Sequence, residues 1–107
     1  MQKATILEDD KSLELEFTER ADRWEREAGI HSSPGAAILH NDYQSILGMG
    51  KPAIPLILKR LQRSGGNWFW ALRHISREEE DPAKDAKDIQ AAILAWIEWG
   101  RRNHYLI

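Results

Sequence analysis

The sequence contains no cysteine, which excludes disulfide bonds, thiolate metal sites and a cysteine nucleophile. It also has no apolar run near the roughly 18 residues that a membrane-spanning helix needs. Its first ten residues turn acidic too early for a secretory signal peptide. These absences predict a cytoplasmic protein without a membrane segment. The 107 residues, 42% hydrophobic and 30% charged, are typical of one globular domain.

The familiar catalytic and metal-binding patterns are missing as well. No histidine has a second one three or four residues away, and no His-Glu-x-x-His pattern occurs among His31, His40, His74 and His104. The segment from Gly48 to Pro52 lacks the spacing and the terminal Ser/Thr of a phosphate-binding P-loop, and no serine nucleophile elbow is present. We therefore predict a non-enzymatic protein with no cofactor and no metal.

Two weaker patterns for chemistry each have a structural interpretation that we favour. His40 and Tyr43 lie three residues apart and can share a helix face, where they can bind a ligand or transfer protons. Such a pair more often makes a buried hydrogen bond. The acidic run at 78–81 can hold a divalent cation through its oxygens, but a solvated acidic loop is far more common.

The spacing of apolar residues predicts five helices joined by short turns. The first spans 12–28, because Leu13, Phe17, Ala21, Trp24 and Ala28 fall on one helical face, and Gly29 ends it. Residues 1–11 show no helical period and are expected to be flexible or extended, which leaves 12–107 as a single helical domain. The other helices are predicted at 36–47, at 52–64, at 68–76 with Asn67 as N-cap, and from residue 89 onward.

The central helices, with the Gly65-Gly66 turn between them, predict a helical hairpin of the kind found in HEAT-like repeats. No second copy occurs at a fixed period. We expect an all-α fold, a compact bundle of about five short helices around this hairpin. The predicted core consists of Phe17, Trp24, Leu47, Ile54, Leu58, Leu61, Leu72, Ile93 and Trp96.

Charge is distributed unevenly along the chain. Residues 1–42 hold ten acids and five bases, residues 43–77 hold six bases and no acid, and residues 78–107 hold seven acids and four bases. A basic centre between acidic ends favours charge complementarity within the fold. The alternative is a basic face kept for an acidic or phosphorylated partner.

Five tryptophans in 107 residues are the most unusual feature of the composition. Trp68, Phe69 and Trp70 are consecutive, so on a helix they fan over roughly 200°, wider than one core stripe. Either this helix is covered on two sides or one ring is exposed. Arg73 and Arg77 follow Trp70 at three and seven residues, and an exposed aromatic beside arginines is typical of a protein interface.

Several short sequence blocks, spread over most of the chain, form a recognisable combination. They are Trp24, Ser32-Ser33, His40 with Tyr43-Gln44, and the runs 46–50, 53–58, 68–72, 81–82 and 96–100. On these blocks the chain resembles an uncharacterised family of small bacterial proteins. It departs from that family at Glu78-Glu79-Glu80, where a glycine turn is usual, and at Asn41, where a proline is usual. The resemblance implies a bacterial origin and a compact module but no activity.

Two functional hypotheses follow. The first is a protein-interaction module, antitoxin-like or accessory to a defence or mobile-element system. It would bind another protein through an aromatic and basic surface made of Trp70, Arg73, Arg77, Lys59, Arg60 and Arg63. The second is nucleic-acid binding, in which the same cations contact phosphates while a tryptophan stacks on a base. The net charge of −2 weighs against the second hypothesis.

Overall fold

Residues 2–28 and 33–107 are described by a computed structural model, with side chains over 11–28, at 33 and over 35–107. These residues form six α-helices and no strand, which confirms the all-α prediction. The helices are α1 (Gln2–Glu27), α2 (Pro34–Leu39), α3 (Asn41–Met49), α4 (Ile54–Ser64), α5 (Phe69–Ser76) and α6 (Ile89–Arg102). One 3-10 turn, Lys51–Ala53, precedes α4. None of the helices described has both the length and the hydropathy needed to cross a bilayer. The chain divides into two compact units, Met1–Met49 and Gly50–Ile107.

The first helix begins at Gln2, ten residues before its predicted start. The expectation of a flexible or extended segment at 1–11 is therefore wrong for residues 2–11. Their sequence shows no apolar helical period, but most of these residues are strong helix formers. Lengthening an existing helix also avoids the cost of nucleating a new one. The predicted stop at Gly29 lies outside the described residues.

Two short helices replace the single helix predicted at 36–47. The chain breaks at His40, whose extended ψ of 138° ends α2 before α3 begins. Ser33 caps α2, because its hydroxyl accepts the N–H of Ala36 at 3.3 Å. In this unit α1 packs on α3, and the Trp24 ring lies 5.0 Å from the Tyr43 ring. The indole N–H of Trp24 donates to the Ala37 carbonyl at 2.8 Å, so Trp24 also ties α1 to α2.

In the second unit α4 packs against both α5 and α6. The apolar spacing of Ile54, Ile57, Leu58 and Leu61 predicts one buried stripe on α4, and all four residues are buried. Gly65, with a φ of +70°, ends α4 in the left-handed region that glycine adopts without strain. The predicted hairpin of α4 and α5 is present, although Trp68 rather than Asn67 occupies the N-cap position of α5.

Most of the predicted core is buried. Seven of the nine predicted residues are buried, whereas Leu47 and Ile93 are only half-buried. The largest fully buried side chains missing from the prediction are Trp68, Tyr43, Ile46 and Ile57. Helical periodicity identified the stripes correctly, but it could not show that α4 is covered by two neighbours.

The C-terminus folds back on α6 in a Schellman motif. The N–H of Tyr105 donates to the Gly100 carbonyl at 2.8 Å, and the N–H of His104 donates to the Arg101 carbonyl at 3.2 Å. The Tyr105 ring stacks on Trp99 at 5.4 Å, which is the apolar contact that accompanies this motif. His104 adopts a φ of +66°, a conformation that costs a residue with a Cβ about 1–2 kcal/mol.

We expect His104→Gly to raise the free energy of unfolding by about 1 kcal/mol, because glycine adopts this conformation without the Cβ clash. Urea denaturation followed by circular dichroism measures the change. The control is Asn103→Gly, at a φ of −99°, which should give no gain. Equal effects at both positions would contradict the assignment of strain to His104.

Gly100 of α6 lies directly against Leu58 of α4. A Cβ at this position would meet the Cδ1 of Leu58 at 2.5 Å, and Leu58 is fully buried. Leu58→Ala should cost about 2–5 kcal/mol through loss of buried surface and a cavity. Gly100→Ala should cost about 1–3 kcal/mol through overpacking. The double variant should cost clearly less than the sum of the two, because the methyl group added at position 100 enters the space that the truncated Leu58 side chain leaves. Simple additivity of the two costs in urea denaturation would refute this contact.

Candidate interaction surface

One exposed face of α5 carries Trp70, Arg73 and His74, whose spacing of three and four residues places them along one side of the helix. Arg77 follows as the exposed C-cap residue, just beyond the last residue of the helix. The Trp70 side chain is 42% exposed, and its ring stacks on the His74 ring at 5.0 Å with an interplanar angle of 12°. Trp68 is fully buried. The tryptophan run therefore has one ring in the core and one on the surface.

Beyond the end of α5 the chain enters the acidic run 78–81, which we call the acidic connector. Arg77 adopts a φ of +59°, and its N–H donates to the Arg73 carbonyl at 3.1 Å. The connector supplies Asp81, whose Oδ2 lies 3.3 Å from the Arg73 guanidinium. The other oxygen of Asp81 accepts the N–H of Ala83 at 2.8 Å. Arg73 is thus paired within the fold, although both partners keep more than a third of their side-chain surface in solvent.

The cations of α4 do not all share one environment. Lys59 and Arg63 are exposed and four residues apart, so they lie on one face. Arg60 is only 6% exposed, so its predicted place on the solvent face, available to a partner, is wrong. The physical reason is that α4 packs against both α5 and α6, which buries a wider arc than one apolar stripe.

A polar cluster that the sequence did not reveal surrounds Asp42 at the start of α3. This carboxylate is 3% exposed and accepts two hydrogen bonds from Arg23, at 2.7 and 2.8 Å. Arg20 adds a third at 3.1 Å and also bonds Glu16 at 2.8 Å. Through these bonds the two arginines join α1 to α3. Because the partners are about twenty residues apart, no local pattern in the sequence indicates them.

His40 links all three helices of the first unit. Its Nδ1 accepts the backbone N–H of Asp42 at 3.1 Å, and its Nε2 lies 2.9 Å from the Glu27 carboxylate. Since Nδ1 is an acceptor, the ring proton must sit on Nε2 and be donated to Glu27. His40 therefore helps to fix the break between α2 and α3 against α1.

Glu27, His40 and Asp42 also place three potential metal-ligating atoms within 4.8 Å of one another. The hydrogen bonds argue against using them for a metal ion. Neither nitrogen of the His40 ring offers a lone pair, because one accepts an N–H and the other carries the proton. The oxygens of Asp42 are directed at two guanidinium groups. We therefore interpret this cluster as a structural link.

The hydrogen bonds from Arg23 lower the pKa of Asp42 below its ordinary value, while burial of the carboxylate acts in the opposite direction. A carboxylate with a lowered pKa stabilises the fold above the pKa of the unfolded chain, and this contribution is lost as the pH falls through the folded pKa. The Asp42 cluster should therefore contribute to stability at neutral pH and weaken in acid.

We expect Asp42→Asn to lower the free energy of unfolding at pH 7 by about 1–2 kcal/mol, because the arginines lose a charged acceptor but still reach water. The difference from wild type should shrink as the pH falls from about 5 towards 2. Urea denaturation across that range measures it. Glu16→Gln, at a half-exposed carboxylate that also bonds Arg20, is the control and should change stability little. A pH-independent loss in Asp42→Asn would contradict the assignment.

Comparison with known proteins adds no relative to this geometry. No protein family, no curated protein and no solved structure matches the chain. The family resemblance seen in the sequence stays a prediction, and the functional argument rests on the side chains themselves.

Proposed function

We propose that this protein is a non-enzymatic interaction module that binds the acidic surface of a partner protein through the exposed face of α5. The observation that carries the proposal is Trp70, a large aromatic side chain left 42% exposed while Trp68, two residues earlier, is fully buried. Tryptophan and arginine are the residues most enriched among those that dominate binding energy.

The Trp70 ring already has a stacking partner within its own helix. It stacks on His74, and the helix beneath it is held by the buried residues Ala71, Leu72 and Ile75. A side chain that is fixed in advance loses little conformational entropy on binding. The stack therefore favours recognition by a preformed surface.

Charge supports an acidic partner. Residues 43–77 contain six bases and no acid, and three of these bases are exposed: Arg77 at the C-cap of α5, and Lys59 and Arg63 on α4. Exposed cations attract acidic groups and disfavour basic ones. A partner that presents carboxylates around an apolar group fits both the charge and the exposed indole.

A protein partner is favoured over nucleic acid by the surroundings of these cations. Arg60 is buried, and Arg73 is paired with Asp81. The acidic run 78–81 follows α5 directly, so a phosphate backbone on this face meets several carboxylates. A protein surface can alternate its charges to match, whereas a nucleic-acid backbone cannot.

Within this proposal the α4–α5 hairpin acts as a HEAT-like binding unit in a small bacterial accessory protein. An antitoxin-like role, or a place in a defence or mobile-element system, suits a module that binds one partner and catalyses nothing. The support is the size of the chain and the resemblance in its sequence.

Photo-crosslinking from position 70 tests the proposal. Replacing Trp70 with p-benzoylphenylalanine keeps an aromatic side chain there and should crosslink a discrete partner protein in a lysate of the source organism. The same residue at exposed Leu94 of α6 is the matched control and should give no such product. Arg77→Ala should reduce the crosslinked fraction at least tenfold, which corresponds to about 1.4 kcal/mol. Folding should stay unchanged, because exposed substitutions usually alter stability by under about 0.5 kcal/mol.

Nuclease treatment separates the two functional hypotheses. A protein crosslink that survives the nuclease supports the proposal. Tight binding of purified protein to duplex or single-stranded nucleic acid, weakened steeply by salt and lost in Lys59→Glu/Arg63→Glu, would support nucleic-acid binding instead. Arg60 is unsuitable for that test, because a charge reversal at a buried position disturbs the fold.

A further inference from the structure

We infer that the acidic connector is an internal competitor for the α5 face, in which Asp81 occupies the place on Arg73 that a carboxylate of the partner takes in the complex. The inference rests on the proposed function, since it names what regulates binding at the same surface. It is carried by the ion pair between these two side chains and by the turn that holds Asp81 in place.

The acidic connector returns to the helix that it follows. The left-handed conformation of Arg77, at a φ of +59°, ends α5. Four residues later the Oδ2 atom of Asp81 lies 3.3 Å from the guanidinium of Arg73, which belongs to the last turn of the helix. Arg73 lies three residues after Trp70 and on the same side of α5. The carboxylate of Asp81 therefore contacts the surface that carries the exposed indole.

A folded turn presents Asp81 to Arg73. The Oδ1 atom of Asp81 accepts the N–H of Ala83 at 2.8 Å, and its backbone carbonyl accepts the N–H of Lys84 at 3.0 Å. The ammonium group of Lys84 pairs in turn with the carboxylate of Glu80. An ordered group loses little conformational entropy when it makes a contact, and a tethered group acts at an effective concentration on the order of mM. Asp81 therefore competes with any carboxylate that arrives from solution.

The pair of Arg73 and Asp81 is weak enough to be displaced. Both side chains keep more than a third of their surface in solvent, and ion pairs of this exposure contribute little to stability. A partner that covers Trp70 and offers its own carboxylate gains an ion pair with Arg73, but the contact with Asp81 must break first. The acidic connector therefore lowers the affinity for an acidic partner without blocking the face.

Competition for the crosslink from position 70 tests the inference. Purified chain that retains Trp70 is titrated into lysate containing the p-benzoylphenylalanine protein, and the concentration that halves the crosslinked product gives its relative affinity. Asp81→Asn should reach this point at about two- to fivefold lower concentration than wild type, and fivefold corresponds to about 1 kcal/mol. The amide oxygen of the variant can still accept the N–H of Ala83, so the turn is kept while the charge facing Arg73 is removed.

Two comparisons separate loss of this contact from loss of charge. Glu79→Gln removes one charge from an exposed side chain of the same connector and should compete like wild type. Arg73→Ala should compete more weakly than wild type, and adding Asp81→Asn to it should bring no gain, because the group for which Asp81 competes is gone. An equal gain in Glu79→Gln, or a gain that persists without Arg73, would assign the effect to net charge and overturn the inference.

Chemical modification of arginine measures the internal contact without a partner. Phenylglyoxal should modify Arg73 faster in purified Asp81→Asn than in wild type, whereas exposed Arg63 is the internal reference and should react equally in both. Equal rates at Arg73 in the two proteins overturn the inference. If position 70 crosslinks a partner but Asp81→Asn competes no better than wild type, the inference fails and the proposed function stands. If position 70 crosslinks no partner, both fail.

Discussion

The burial of α4 by two neighbouring helices decides which side chains of the second unit remain for recognition. Because α5 and α6 both pack on α4, the buried arc of α4 is wide enough to include Arg60. The same contact requires α5 to direct Trp68 and Leu72 inward, and the helical period then leaves Trp70 outside. The aromatic and basic face of α5 is thus a geometric consequence of how α4 is covered.

The first unit is held by a different kind of contact. A small apolar core around Trp24 and Tyr43 is supplemented by a buried carboxylate, Asp42, that two arginines of α1 share. Burying a charge is costly unless its hydrogen bonds are satisfied, and this one has three from guanidinium groups. His40 adds directional bonds on the same side. The cluster fixes the position of α3 on α1 more specifically than apolar packing alone does, because hydrogen bonds are directional and apolar contacts are not.

Under the proposed function, paired charges and charges available to a partner have separate roles. Asp42 is buried, so its bonds to the arginines are costly to break. Arg73 and Asp81 form a half-exposed pair that contributes little to stability and can exchange with an incoming carboxylate. The acidic connector can therefore lie beside the basic face of α5 without closing it to a partner.

The sequence by itself determined the helical class, the approximate helix bounds and most of the core, because these follow from local propensity and from a 3.6-residue period. The N-terminal start of α1 was missed because that segment forms a helix without an apolar stripe. The break at His40 was missed because the apolar pattern continues across it. Tertiary structure alone decided that Arg60 is buried, that Trp70 is exposed and that Asp42 meets Arg20 and Arg23. Those outcomes depend on which helices pack together, and contacts between residues far apart in the chain leave no periodic signal within it.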